Sequence, residues 1–208
     1  MAGLSEKTYQ ILKEKLRGSE PGVFYSVRKC AGELNISYTP VREALLRLTS
    51  EGFLELVPNV GFFVKNLDMR AVVDIFQSRD CVEKYVLPLV VPALTAEDMA
   101  ELRRIVEEQS AALEASDFSE YARRDMDFHC RIVDRLGNHE LYNFYKSIRE
   151  RYMFCSNNIV QTRDNYAVVD HTKFIDAVEA GEHEAACAII LGHTQSAFER
   201  IKAGYTLF

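Results

Sequence analysis

No run in the 208 residues approaches the roughly 20 apolar positions that a helix needs to span a bilayer. The opening MAGLSEKTYQ has neither the basic flank nor the apolar core of a secretion signal. A soluble, cytoplasmic protein with no membrane partner is expected. Cysteine is sparse: Cys30, Cys81, Cys130, Cys155 and Cys187 are odd in number, widely spaced and never in a CxxC pair. Neither a disulfide framework nor a thiolate zinc site is indicated, and the thiols read as small apolar fillers. Repeats and low-complexity segments are missing as well. So is any basic excess, since the net charge is -6.

That average conceals two unlike halves. Residues 1 to 67 hold nine Lys/Arg and seven Asp/Glu, net +2, whereas residues 68 to 208 hold sixteen and twenty-four, net -8. A balance of +2 gives only a weak preference for a polyanion on the first half. What the chain has in quantity is apolar side chains, at 48%, enough to build one large core or two smaller ones.

Along the first half, LSEKTYQILKEKLRG carries apolar residues at helical spacing with Gly18 as a stop, and the loop SEPG follows. VRKCAGELN is a short helix. SYTPVREALLRLTSEG begins with Ser37 as a cap and aligns Val41, Ala44, Leu45 and Leu48 on one face. The period then changes to that of a hairpin, with FLELV and GFFVKN flanking the turn PNVG. Three helices and a hairpin outline a winged helix-turn-helix. Beyond Asp68 the pattern is helical throughout, and the punctuation at Pro92, Thr95, Ser116-Asp117, Gly137-Asn138, Arg163-Asp164 and Gly181 sets the boundaries. It predicts six helices at about 69 to 91, 95 to 115, 117 to 136, 138 to 161, 164 to 180 and 182 to 204. The expected fold is mainly α, a winged helix-turn-helix over 1 to 67 followed by a six-helix antiparallel bundle over 68 to 208.

The run SYTPVREALLRLTSEG, within VRKCAGELNISYTPVREALLRLTSEGFLELVPNVGFFV and with the wing glycine Gly61, resembles the DNA-binding domain of the GntR superfamily of bacterial transcription regulators. The helical remainder resembles the FCD ligand-binding domain of its FadR subgroup, and six helices place it near the shorter, VanR-like branch. The resemblance implies a homodimer on double-stranded operator DNA, with Arg28, Ser37, Tyr38, Thr39, Arg42 and the wing around Gly61 at the DNA. Arginine suits this role because its planar fork reaches guanine O6 and N7 together. Two positions depart from the family pattern: Tyr38 stands where an arginine often follows the serine, and Val60 where the wing often carries a cation. Fewer phosphate contacts and a shallower salt dependence are expected.

In the bundle, Asp125 and His129 are four apart and share one helix face, whereas Asp127 does not and reads as a surface carboxylate. On its own such a pair is far more often part of a solvated helix surface than of an ion site. His171 and His193, on the fifth and sixth bundle helices, complete the set, and all four match the family's metal-binding positions. Three imidazoles and a carboxylate suit Zn²⁺ first, with Ni²⁺, Co²⁺, Fe²⁺ or Mn²⁺ also accommodated. His139 and His183, beside helix starts, are expected to be exposed. Arg79 matches a family arginine facing the pocket, where it would hold a small carboxylate effector; an ion pair with Glu83 one turn on is the competing expectation. Tyr152, Cys155, Asn158 and Gln161 are candidate lining residues.

Two other classes remain open at this point. Three histidines and an aspartate also resemble the metal shell of hydrolases and oxygenases, but no general base accompanies them and a winged helix would have no part in catalysis. A structural adaptor is the third reading.

Overall fold

The computed structural model describes residues 3–17, 19–66, 68–159 and 165–205. It divides into two compact units, Met1–Asp68 and Met69–Phe208.

In the first unit α1 (Leu4–Arg17) is followed by the short strand β1 (Phe24–Tyr25), then α2 (Val27–Leu34), α3 (Tyr38–Ser50) and the hairpin of β2 (Leu54–Val57) and β3 (Gly61–Val64). The core is made where α1 packs on α3: Leu12 and Leu16 are buried from one side, Val41, Ala44, Leu45 and Leu48 from the other. These α3 positions are the face that the spacing predicts. Asn35, in the left-handed conformation at φ 52°, ends α2 and turns the chain into α3.

The sheet has three strands rather than two, in the order β1-β3-β2, with Phe24 opposite Phe63 and Tyr25 opposite Phe62. A two-residue strand has too few positions to show alternation, which is why periodicity does not reveal it. Its close approach explains Gly61. At φ 148° a side chain there is strained, and a Cβ would lie 2.4 Å from the Phe24 ring and 3.2 Å from the Tyr25 carbonyl.

The second unit contains α4 (Met69–Val90), a 3-10 turn at Val91–Ala93, α5 (Ala96–Glu114), α6 (Phe118–Asp134), α7 (His139–Ile159), α8 (Tyr166–Glu179) and α9 (His183–Tyr205). Six long helices are thus present among the described residues, each within a few residues of its predicted span. The expected boundary at 163–164 lies outside those residues. The start of α5 shows why the helices begin where they do. Thr95 accepts the Asp98 amide at 3.2 Å and Asp98 accepts the Thr95 amide at 2.9 Å, a reciprocal capping box. Arg131 and Arg135 then hold the same carboxylate at 3.0 and 2.8 Å, fastening α5 to the far end of α6.

Helices joined by short turns pack together, as α5 on α6, α6 on α7 and α8 on α9, while α4 contacts α6, α7 and α9. The bundle interior is apolar along most of its length, with Val86, Leu102, Phe128, Tyr145, Phe174 and Ile190 almost fully buried. In its middle the apolar stripes are interrupted by Arg79, Glu83, Gln109, His129, Arg149, His171 and His193, all buried. No helix among the described residues is long and apolar enough to cross a membrane.

Candidate functional site

The first-unit residues singled out by the motif lie on α2, at the head of α3 and at the hairpin. Arg28 near the start of α2 and Arg42 on α3 are exposed and form no ion pair among the described residues. Arg47 is the opposite case: it binds Glu6 at 2.8 Å and Glu51 at 3.0 Å and lies 3.7 Å over the Tyr9 ring. The unit therefore uses one α3 arginine for folding and leaves the other available. Lys65, just past the hairpin, is exposed and also unpaired, a cation that the motif does not draw attention to.

Ser37, Tyr38 and Thr39 are exposed at the head of α3, with Tyr38 at 57%. Ser37 occupies the N-cap with an extended backbone, but its hydroxyl makes no capping bond, contrary to expectation. Ser26 does cap α2, accepting the Lys29 amide at 3.1 Å. At the hairpin tip Val60 is 58% exposed, and Gly61 is fixed by the Phe24 contact described above.

In the second unit Asp125 and His129 on α6, His171 on α8 and His193 on α9 come together, with one ligand atom from each lying within 4.8 Å of the others. Nε2 of His171 is 3.3 Å from Nε2 of His129, and Oδ1 of Asp125 is 3.7 Å from His171 Nε2 and 3.9 Å from His193 Nε2. The far ring nitrogens decide the tautomers. His171 Nδ1 faces Gln109 Oε1 at 2.9 Å, His193 Nδ1 faces Asp170 Oδ2 at 3.3 Å, and His129 Nδ1 faces Glu83 Oε1 at 3.7 Å. Gln109 and Asp170 are acceptors within hydrogen-bond reach, so Nδ1 of His171 and of His193 carries the proton and each Nε2 presents a lone pair to the same small space, while Glu83 stands beyond hydrogen-bond distance of His129. Two such lone pairs and a carboxylate oxygen repel one another unless a cation lies between them. The donor set fits a divalent ion, with second partners oriented as metal-binding histidines require.

Electrostatics keeps the ligands in binding form. Burial, helped by the nearby cations, pushes His129 well below its ordinary value, and burial with neighbouring His193 lowers His171 to about 3. Burial by itself would raise the Asp125 carboxyl, but the Arg149 guanidinium together with His171, His193 and Arg79 outweighs it and holds the group well below the usual carboxylate range.

Arg79 is fully buried, and the competing expectation for it is the one realised in this structure. Its Nη2 reaches Glu83 Oε1 at 3.1 Å and Thr194 Oγ1 at 2.9 Å. Glu83 in turn accepts Thr194 Oγ1 at 2.7 Å and Tyr145 OH at 2.5 Å. Tyr152 stacks edge-on against Phe76. Gln161 lies outside the described residues, as do the side chains of Cys155 and Asn158.

Asp127 stays away from the cluster as expected, yet it is no free surface group. It is half-buried and paired with Arg123 at 3.2 Å and Arg124 at 3.5 Å. His139 is exposed, while His183 is half-buried at the start of α9. Four residues at the site escaped the motif: Glu83, Gln109, Arg149 and Asp170. The first three did carry a signal, since each is a polar residue on an otherwise apolar helical stripe, as Gln109 is among Leu102, Ile105, Val106 and Ala112.

Residues 4–64 match the family described as bacterial regulatory proteins, gntR family, and residues 74–196 match the FCD domain. The Nta operon transcriptional regulator of Aminobacter aminovorans is 32% identical over 181 residues, 87% of this chain and 85% of that protein. Among solved structures, Escherichia coli McbR/YncC superposes with a TM-score of 0.86 at 24% identity, covering 99% of this chain and 100% of its own. A GntR transcriptional regulator from Rhodococcus sp. RHA1 also gives 0.86, at 18% identity, covering 96% and 97%.

Proposed function

Because the chain belongs to the gntR family of bacterial regulatory proteins and joins that DNA-binding domain to an FCD domain, we propose that a small carboxylate held beside a divalent ion controls its affinity for operator DNA. The protein is a transcription regulator; its relatives are regulators and not enzymes. The observation that carries the metal reading is the convergence of Asp125, His129, His171 and His193 with the second ring nitrogens of His171 and His193 facing acceptors. Zn²⁺ suits this set best, and Ni²⁺, Co²⁺, Fe²⁺ and Mn²⁺ are the other candidates. The ion would supply a Lewis-acidic point at which an effector carboxylate gains affinity.

The chain's own residues do the rest. Asp125, His129, His171 and His193 hold the ion. Gln109 and Asp170 fix the rings of His171 and His193, and Arg79 keeps Glu83 in place beside His129. At the other end of the function, a homodimer places two copies of α3 on a pseudo-palindromic operator in the cytoplasm. Arg42, Tyr38 and Thr39 then meet the bases, while Arg28, Ser37 and the hairpin at Gly61 hold phosphates. An effector acts by binding the two arrangements of the dimer unequally, and moving it between mostly bound and mostly free operator takes about 5.5 kcal/mol of such difference.

Selection of binding sites from a random duplex pool, with metal-loaded protein, should enrich an inverted repeat. A pool with no enriched sequence refutes operator recognition. Elemental analysis of untagged protein should show about one divalent ion per chain, lost in His171→Ala and His193→Ala. Full metal content in those two variants refutes the ligand assignment.

A further inference from the structure

Two arginines flank one aromatic ring at the centre of the bundle. The guanidinium carbons of Arg79 and Arg149 each lie 5.2 Å from the centroid of Tyr152. Both side chains are buried, and both keep donors in reserve. Arg79 directs Nε and Nη2 to Glu83 and Thr194, and its Nη1 has no hydrogen-bond partner among the described residues. Arg149 directs Nη2 to Asp125 Oδ2, and both its Nε and its Nη1 have none. A buried guanidinium N–H with no acceptor is a costly arrangement, so three of them around one residue point to a ligand rich in acceptor oxygens.

Charge bookkeeping gives the same answer independently. Arg79 pairs with Glu83, and Arg149 with Asp125, so the four charges cancel. The remaining carboxylate at the site, Asp170, faces Lys173 at 3.8 Å. A divalent ion among the imidazoles therefore adds two positive charges to a region whose carboxylates, among the described residues, are already paired. One effector carboxylate offsets half of that; a second completes the balance.

We propose, building on the carboxylate-effector reading above, that Arg149 anchors a second anionic group and that the effector is a small dicarboxylate. One carboxylate lies beside the ion and the other accepts from Arg149, whose Nη2 stays on Asp125 and so ties the anchor to the metal shell. The Tyr152 ring, with a guanidinium 5.2 Å from its centroid on each count, fixes where that anchor sits. Because unused donors remain on Nε and Nη1, on either side of the group that holds Asp125, the guanidinium can take a carboxylate oxygen without releasing Asp125.

The test is calorimetric titration of the metal-loaded full-length protein with linear α,ω-dicarboxylates of four to six carbons, each against the monocarboxylate of equal length. At least one dicarboxylate should bind about tenfold or more tightly than its monocarboxylate partner. Arg149→Met, its metal content measured beforehand, should abolish that advantage, read as the ratio of dicarboxylate to monocarboxylate affinity in the same variant. Arg149→Lys, which preserves a charge beside Asp125, should retain part of it and serves if the methionine variant does not fold. An advantage that persists in full in both variants belongs to the ion and overturns the assignment to Arg149. Metal-dependent binding of monocarboxylates with no dicarboxylate advantage leaves the effector reading standing and overturns the second anchor. No binding by any of these acids refutes both.

Discussion

The two units treat positive charge in opposite ways. In the first, Arg28, Arg42 and Lys65 stand in solvent without ion-pair partners among the described residues, and Tyr38 and Val60 are exposed beside them in the motif. In the second, Arg79 and Arg149 are withdrawn from solvent and each faces a carboxylate. An exposed cation costs little to keep and gains its energy when a polyanion arrives, through counterion release. A buried cation is costly to hold and must be satisfied within the fold, so its partners are part of the structure. One unit waits for its ligand at the surface, whereas the other has organised its interior around where a ligand would sit.

The largest effect that separates the units should come from removing a buried partner. Glu83→Leu strips Arg79 of its carboxylate and takes the acceptor from Thr194 and Tyr145, leaving an uncompensated charge in the bundle. The expected cost is about 3–5 kcal/mol in chemical denaturation, confined to the second unit. A loss below about 1 kcal/mol would show that water already screens the pair and that the comparison between the units is overdrawn.

Removing an exposed cation should leave stability alone and act on DNA. Arg42→Ala should weaken operator binding by about 1–3 kcal/mol and relax preference at one base pair if its fork reads guanine. Lys65→Ala should weaken all sequences alike and lower the salt slope by about one unit. Anisotropy titrations across a salt series distinguish these outcomes. A denaturation midpoint that shifts in either variant would place the residue in the fold rather than at the DNA.

How far the sequence reveals each unit follows from the same contrast. The winged helix-turn-helix is legible because its helix face Val41, Ala44, Leu45 and Leu48 and its turn residues are local patterns, and its exposed arginines Arg28 and Arg42 lie within one motif. Only β1 is hidden, being two residues long and defined by its pairing with β3. The cluster of Asp125, His129, His171 and His193 is legible as four residues, since Asp125 and His129 share a helix face and His171 and His193 match the remaining positions of the resemblance. Its supporting groups are not, because Gln109 meets His171 across 62 positions and Thr194 meets Glu83 across 111. Those distances are set by helix packing, which no local period encodes. A buried polar residue on an apolar stripe is the trace that such packing leaves in the sequence.

Acid offers a smaller, graded separation. All five histidines lie in the second unit. His171 is lowered to about 3 in the fold against 6.5 when free, so as pH falls below 6.5 the unfolded chain takes up the proton first. Its stabilising contribution is complete above pH 6.5 and declines down to about 3. Metal-free protein should therefore lose up to about 1.4 kcal/mol per pH unit from this residue below 6.5. In melts between pH 7 and 5, His171→Gln should flatten the dependence. A first unit that loses stability equally over this range would contradict the assignment.

The smallest effect tests a distinction within the first unit between a serine that builds the fold and one that faces outward. Ser26 caps α2 through the Lys29 amide, so Ser26→Ala should cost about 0.5–2 kcal/mol of stability. Ser37 stands at the same position of α3 but directs no bond into the helix, and its hydroxyl is exposed, as the phosphate contact proposed for it requires. Ser37→Ala should change stability by no more than a few tenths of a kcal/mol while weakening operator binding. Equal losses of stability in the two variants would mean that Ser37 caps α3 in solution, and the phosphate role would then pass to its neighbours Thr39 and Arg28.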